Sequence, residues 1–387
     1  MSSVQDMAEI GPHAWRALVS ATPTAGFFST WEWVSSAARA VRGPAVAQVI
    51  ALRAAKELVA CLPLVWQRER LHGLPARTLR FLGHPLSDRV TVLATGGDAR
   101  LQRAVLDASL RCARPWDAAV LSELPEDPRL RAVIDEWARG RGLVTHWRHC
   151  ARSPILPLDV PDVPALRGAY PKSLATRLRR SRKRLEAAGV VRFERRTPAP
   201  EEVSALLRRF KAIEDVSWKG QAGVGIFSTP DRQRFFEDVG CAVAVQGWLD
   251  VGMLYLDERM ISYRLGFRHR GVFFDYNLAF DPTYAGVSPG RILLDEMIAS
   301  SLELGLSAVD GSRGGLDRPH QLGEWTERFL DHHEVWILRR TPVGRALALL
   351  RNVVRPGLHR WRAWRERGRR EVPGTQEPDA RTVEAFS

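Results

Sequence analysis

The chain is poor in lysine, in paired cysteine and in long apolar runs. Only five of its 57 basic residues are lysine. Its four cysteines, Cys61, Cys112, Cys150 and Cys241, are far apart and form no C-x-x-C pair. That spacing points to neither a disulfide framework nor a zinc site, and no metal centre is expected. Burial as small hydrophobes is the expected role for all four. No apolar run reaches the ~18–20 residues that span a bilayer. The opening MSSVQDMAEIGPHAW has no cationic stretch followed by an apolar core, so no signal peptide is expected. A cytoplasmic location is the resulting expectation.

What is present is an ordinary globular composition, 45% hydrophobic and 26% charged over 387 residues. That length suits two domains or one large one. Net charge is +13 and the pI about 10.4. An arginine-rich chain of this kind expects an anionic partner: a phosphorylated cofactor, a nucleic acid or a membrane surface.

Residues 1–165 read as a mixed α/β unit. WEWVSSAARAV (31–41) has helical spacing, and VAQVIALRA and KELVACLPLVWQR look like paired strands. RTLRFLGHPLSDRVTVLA predicts a further strand pair across the turn-rich GHPLSD. DARLQRAVLDASLRC and PRLRAVIDEWARGRG read as helices flanking the buried strand WDAAVLSEL. SPILPLDVPDVPAL is proline-rich and without periodicity, and marks the domain boundary.

Residues 166–338 form the second unit. YPKSLATRLRRSRKRLEAAG predicts a helix capped by Ser173 and ended by Gly189, with Leu174, Leu178 and Leu185 on one face. The strand VVRFERR and the helix PEEVSALLRRFKAIEDVSW follow. Then comes an antiparallel meander of three strands, 247–284, with short turns at DE and HRG. A helix over 291–304 and the short strand LSAVDGS complete a βαβ-type crossover. HEVWIL (333–338) is the expected last strand. The two halves share a helix-then-meander outline, which leaves a duplicated fold open. Residues 339–387 form a basic amphipathic tail in which Trp361 and Trp364 lie three apart. Two readings of it stand side by side: a helix lying in a membrane interface, and a helix packed on the parent domain.

The entrance to the helix at Ser288–Arg291 also carries two readings. Proline suits the first helical position and Ser288 falls at the cap, which is enough to start a buried helix. The exposed amides and helix dipole of such an entrance also favour phosphate, and Arg291 would add a forked donor. In the meander, alternation puts Asp275 and Tyr276 on opposite faces, so one of them can face a cleft. The arginines of Lys172–Arg184 either grip phosphates or form a solvated face; no aromatics interleave with them.

VSWKG (216–220), the meander LDERMISYRLGFRHRGVFFDYNLAFDPTYAGVSPGRILL and AVDGSRGG (308–315) together resemble the C-terminal domain of BioF2-like acetyltransferases. These belong to the GNAT superfamily and are related to CelD and FemAB-like proteins. FFSTWEWVSSAA and LVACLPLV…LRFLGHPLSD resemble the first half of the same proteins, so the similarity covers about residues 15–340. It implies an α/β (α+β) fold: two tandem GNAT-like domains, each a mixed sheet flanked by helices. It also implies acyl transfer from acetyl-CoA or another acyl-CoA to an amine or hydroxyl. Small-molecule and envelope or polysaccharide precursors are the acceptors it suggests. By the same resemblance the cofactor diphosphate would rest on Gly286, Val287, Ser288, Gly290 and Arg291. Asp310 would be catalytic, with Tyr276 and His320 as further candidates, and Trp218, Lys219 and Asp275 would meet the substrate.

Relatives often carry a Tyr-Lys pair after the Asp-Gly region; here RPHQLGEW has His320 and Gln321 but no lysine. Two alternatives stay open: an aminoacyl-tRNA-dependent ligase of the FemAB kind, and a non-catalytic adaptor. The basic tail adds the expectation of peripheral contact with an anionic membrane at its inner surface.

Overall fold

Among the residues described by the computed structural model, 2–5, 7–316 and 320–351, thirteen strands join into one continuous sheet. They are β1 (Ser2–Gln5), β2 (Val46–Ala54), β3 (Glu57–Leu71), β4 (Leu74–Phe81), β5 (Leu93–Ala94), β6 (Ala118–Pro125), β7 (Val144–Pro157), β8 (Val191–Arg196), β9 (Leu249–Leu256), β10 (Arg259–His269), β11 (Val272–Phe280), β12 (Ala308–Asp310) and β13 (Phe329–Leu338). The helices are α1 (Met7–Ile10), α2 (Pro12–Ala21), α3 (Trp31–Ala40), α4 (Ala99–Cys112), α5 (Pro128–Gly140), α6 (Val163–Gly168), α7 (Lys172–Glu186), α8 (Val203–Val216), α9 (Trp218–Gln221), α10 (Pro230–Val245), α11 (Pro289–Glu303) and α12 (Pro342–Leu349).

The strand order is β1-β2-β3-β4-β6-β13-β7-β12-β11-β10-β9-β8, with β5 paired to β3. One plan occurs twice. β2, β3 and β4 form a meander, α4 crosses over, and β6 returns parallel to β4. β9, β10 and β11 form a second meander, α11 crosses over, and β12 returns parallel to β11. The halves then exchange strands. β7, from the first, lies antiparallel to β12 of the second, while β13, the last strand, lies between β6 and β7. The HEVWIL segment read as the end of the second unit is thus inside the first unit's part of the sheet.

Local pattern accounts for much of this. Leu174, Leu178 and Leu185 of α7 are all buried, packed with Ile292, Leu293, Met297 and Ile298 of α11 in the core over β9–β12. The hairpin turns of the second meander use left-handed residues, Asp257 in one and Arg270-Gly271 in the other.

Other expectations are corrected. Ser173 does not cap α7: Pro171 holds the cap position and no side chain bonds there. The helix ends at Glu186, with Ala187 rather than Gly189 at its C-terminal cap. The proline-rich boundary segment carries the end of β7 and then α6; Pro154 sits in β7 and its carbonyl accepts from Gly311 N–H. The strand pair across GHPLSD is a single strand, β4, plus the two-residue β5, each paired to β3 instead. Helix α10, which contains Gly240, has no counterpart in the sequence reading. Packing requires glycine there: a Cβ would lie 2.9 Å from the Val203 side chain. The start of the tail, α12, packs on β13 and β4, with Leu347 fully buried. Trp361, Trp364 and the rest of the tail from residue 352 on lie outside the described residues.

Candidate active site

β11 and β12 pair only over Val272–Phe274 and Ala308–Asp310. Beyond that they part, and the opening is where the expected site residues gather. β11 is also bulged: Leu265 of β10 faces Asn277 and Gly266 faces Asp275, so Tyr276 has no partner across the ladder. Bulges of this kind re-aim side chains and interrupt pairing. Gly266 permits the close approach, since a Cβ there would lie 2.4 Å from Phe274 O.

Below the opening, Pro282–Val287 makes a short 3₁₀ turn and Ser288, in left-handed backbone at φ 50°, leads into α11. The Ser288 side chain makes no cap hydrogen bond. Gly286 is exposed, and a Cβ on it would meet nothing within 4 Å. Val287 is partly buried against the α11 core. Gly290 is buried and its carbonyl accepts from Arg264 Nη2 at 2.8 Å. Arg291 is not a spare cation, because its Nε donates to Glu324 Oε1 and Oε2 at 3.0 Å. The matching helix entrance in the first half is closed. Asp98 caps α4, its carboxylate accepting from Arg100 N at 2.6 Å and Leu101 N at 3.4 Å. A carboxylate already on those amides repels a second anion.

Inside the opening, Arg264 and Asp275 form an ion pair with both side chains fully buried. Arg264 also donates to Gln321 Oε1 at 2.5 Å. Asp275 Oδ2 lies 3.4 Å from His320 Nε2, while Asp275 Oδ1 has no hydrogen-bond partner among the described residues. Leu322 N donates to His320 Nδ1 at 3.1 Å, which puts the ring proton on Nε2, facing Asp275. Burial holds His320 down to about 4, so the ring is neutral near pH 7 with both nitrogens engaged. Asp310 ends β12. Its Oδ2 is 2.8 Å from Arg89 Nη2, its Oδ1 accepts from Ser312 N, and Arg89 comes from the first half. Arg89 Nη1 and the Ser312 hydroxyl are buried without hydrogen-bond partners among the described residues, an arrangement that invites a ligand.

Tyr276 points the other way. Its hydroxyl donates to Leu86 O at 2.7 Å, and its ring packs among Phe28, Trp33, Phe236 and Phe267. Burial pushes this hydroxyl well above its usual range. Asp310, His320 and Asp275 therefore come together, and Tyr276 instead docks the second half on the first. Trp218 is exposed at the rim, and Lys219 reaches inward to Asn277. The interlock is reciprocal: Arg313 of the second half enters the first, its amide donating to Asp88 Oδ2 and its guanidinium to Glu123 Oε1, both at 3.1 Å.

Sequence reasoning missed Arg264, Arg89, Asn277 and Gln321. Only their position in RLGF, SDRV, YNLAF and PHQLG marks them, and nothing local distinguishes them from surface polar residues.

This meander–helix–strand frame, opened beside a helix entrance, is matched in sequence as well. Residues 172–320 match the acetyltransferase (GNAT) domain family. The match spans α7 to His320 and supports a transferase. No curated protein matches the chain in sequence. In fold the chain is similar to FemX, at 12% identity and a TM-score of 0.55, covering 86% of this chain and 96% of that one. It is similar to a conserved protein of unknown function from Bacteroides thetaiotaomicron, at 11% identity and a TM-score of 0.56, covering 88% and 100%. It is also similar to L-PGS from Bacillus licheniformis, at 10% identity and a TM-score of 0.54, covering 88% and 96%. The fold is mixed α/β, two GNAT-like units in tandem on one large sheet flanked by helices. No described helix is long and apolar enough to cross a membrane.

Proposed function

We propose that the chain transfers an acyl group from an acyl-CoA, acetyl-CoA in the simplest case, to an amine or hydroxyl acceptor, and that the site lies in the second half. The observation that carries this reading is the contrast between the two helix entrances. The entrance of α11 is uncapped by its serine, with Gly286 facing open space beside the β11–β12 opening. The entrance of α4 is occupied by Asp98. A diphosphate would rest on Gly286, Val287, Ser288 and Gly290, with Arg291 acting through its pair with Glu324. Asp310, His320 and Asp275 would line the acceptor side, with Trp218 and Lys219 at its mouth; Tyr276 supports the frame.

The acceptor follows from the BioF2- and CelD-like resemblance: a small molecule or an envelope precursor, as in polysaccharide synthesis. Peripheral contact with an anionic membrane through the basic tail fits such an acceptor. In a thermal melt, acetyl-CoA at one hundred times its Kd stabilises the protein by about 2.7 kcal/mol. Gly286→Asp puts a carboxylate where the diphosphate would sit, without a steric clash, and is expected to abolish the rise. A melting temperature that no acyl-CoA moves would overturn the reading.

A second reading, an aminoacyl-tRNA-dependent ligase of the FemAB kind, is favoured by α7. Arg179, Arg180, Lys183 and Arg184 are exposed on it and have no carboxylate partner among the described residues, whereas Arg177 and Arg182 are spent on Glu324, Asp295 and Glu296. This reading requires tRNA affinity that falls steeply with salt; a flat binding curve rejects it.

A further inference from the structure

Lys219 is one of five lysines in the chain, and its ammonium reaches the part of β11 that β12 no longer pairs. Nζ donates to Asn277 Oδ1 at 2.5 Å and to Leu278 O at 2.8 Å. Its third N–H has no acceptor among the described residues. Both neighbours are themselves fixed. Asn277 Nδ2 donates to Glu214 Oε2 at 3.1 Å and to Tyr263 Oη at 2.9 Å, which turns Oδ1 towards the lysine. Ser217 Oγ accepts from Lys219 N, and Gly220 packs so closely on the end of α8 that a Cβ would lie 2.3 Å from Asp215 O. The ammonium is therefore held in place rather than free to swing.

Its position along β11 matters as much. Asn277 lies four positions before Asp281, where the turn into α11 begins, a distance of about 13 Å along a strand. A carrier whose diphosphate rests at the entrance of α11 and whose arm runs back along β11 passes Asn277, just past the bulge. Two neighbouring donors, the His320 ring and the terminal nitrogens of Arg264, are committed. His320 is neutral and directs its N–H at Asp275. Arg264 spends Nη1 on Asp275 and Nη2 on Gly290 O and Gln321.

We propose that Lys219 is a catalytic residue whose ammonium donates its remaining N–H to the thioester carbonyl oxygen and stabilises the oxyanion that forms on it. The proposal rests on the acyl-CoA reading above. The lone pair of a neutral amine acceptor forms the new bond to the carbonyl carbon, and the C=O π pair moves to oxygen, facing Lys219. That pair then re-forms the carbonyl, the C–S bond breaks with its electrons on sulfur, and the proton shed by the acceptor nitrogen ends on the CoA thiolate. Lys219 keeps its proton throughout. Charges facing the ammonium come from three strands and helices and one loop: Glu214 of α8, Asp275 of β11, Arg264 of β10 and, neutral, His320. Burial pulls Lys219 down to about 8, against the pull of Glu214 and Asp275, so the cation persists near pH 7.

The test uses protein labelled with ¹³C at lysine Cε, in which five lysines give a resolvable spectrum and Lys219→Arg assigns the signal. The Lys219 resonance is expected to titrate near 8 and to move with acetyl-CoA more than with CoA, which lacks the carbonyl. A resonance that titrates with the other lysines, or ignores acetyl-CoA while the melting temperature rises, would overturn the proposal and leave the acyl-CoA reading standing. A melting temperature that does not rise removes both. In thiol release from acetyl-CoA, Lys219→Met is expected to lower the rate by ~10²–10³-fold, and Lys219→Arg to recover part of it. Rates equal to wild type in both variants would refute the role.

Discussion

Replacing Asp275 by alanine should be among the most damaging single changes in the protein. Both it and Arg264 are fully shielded from solvent. Without the carboxylate, the guanidinium keeps only neutral acceptors, Gly290 O and the Gln321 amide. A buried charge stripped of its partner costs about 3–5 kcal/mol. At ~2–4 °C per kcal/mol for large chains, that is a fall of roughly 6–20 °C in melting temperature. The double replacement Arg264→Met with Asp275→Leu removes the charges together and leaves nothing ionic to desolvate. It should lie within about 2 kcal/mol of the wild type, well above Asp275→Ala. Urea unfolding of the three proteins, followed by tryptophan fluorescence, measures the order directly. The single variant also loosens Arg264, which holds the carbonyl of Gly290 in the first turn of α11. It should therefore blunt any stabilisation by acetyl-CoA even after its own stability loss is subtracted. An Asp275→Ala protein within about 1 kcal/mol of wild type, or a double variant worse than the single, would refute the reasoning.

Three further outcomes are expected. Asp98→Ala removes the α4 cap and should cost about 1 kcal/mol in chemical denaturation, without altering the response to acetyl-CoA. Burial pushes Asp88 up from 3.8 to about 6, so the folded protein takes up its proton before the unfolded chain does. The stability this gives is complete below about 3.8 and lost as pH rises through about 6. Asp88→Asn should flatten the stability–pH curve across that window and be the more stable form at pH 7. Tyr276→Phe deletes the bond to Leu86 O and should cost about 1 kcal/mol; an unchanged melting temperature would show that at this residue the ring packing alone contributes.

The parts of this fold that were legible in the sequence are those whose cause lies within one element. The leucine face of α7, the amphipathic α4 and α5, the second meander and the crossover into α11 all follow from spacing over a few turns. The strand exchange does not, because the partners of β13 lie some two hundred residues earlier and its own pattern fits either half. The site was legible only in outline. The small residues at the entrance of α11, with Asp310, Asp275 and His320, could be named as candidates from the family resemblance, but their electrostatics could not. Arg264, Arg89 and Glu324 decide which of those groups are free. Each meets its partner through tertiary contact that no local pattern records. Arg291 illustrates the limit: its sequence position suggests a phosphate ligand, and only the fold reveals Glu324 against it.

The late insertion of β13 has a consequence for how the protein is made. As the chain leaves the ribosome, the first half emerges with a gap in its sheet, between β6 and β7, that only residues 329–338 fill. Until then two strands keep unpaired backbone edges, the kind of template on which chains stick to one another. Productive folding of the early residues must await the very late ones, and a ribosome that stalls before residue 329 would release a product unable to close its own sheet.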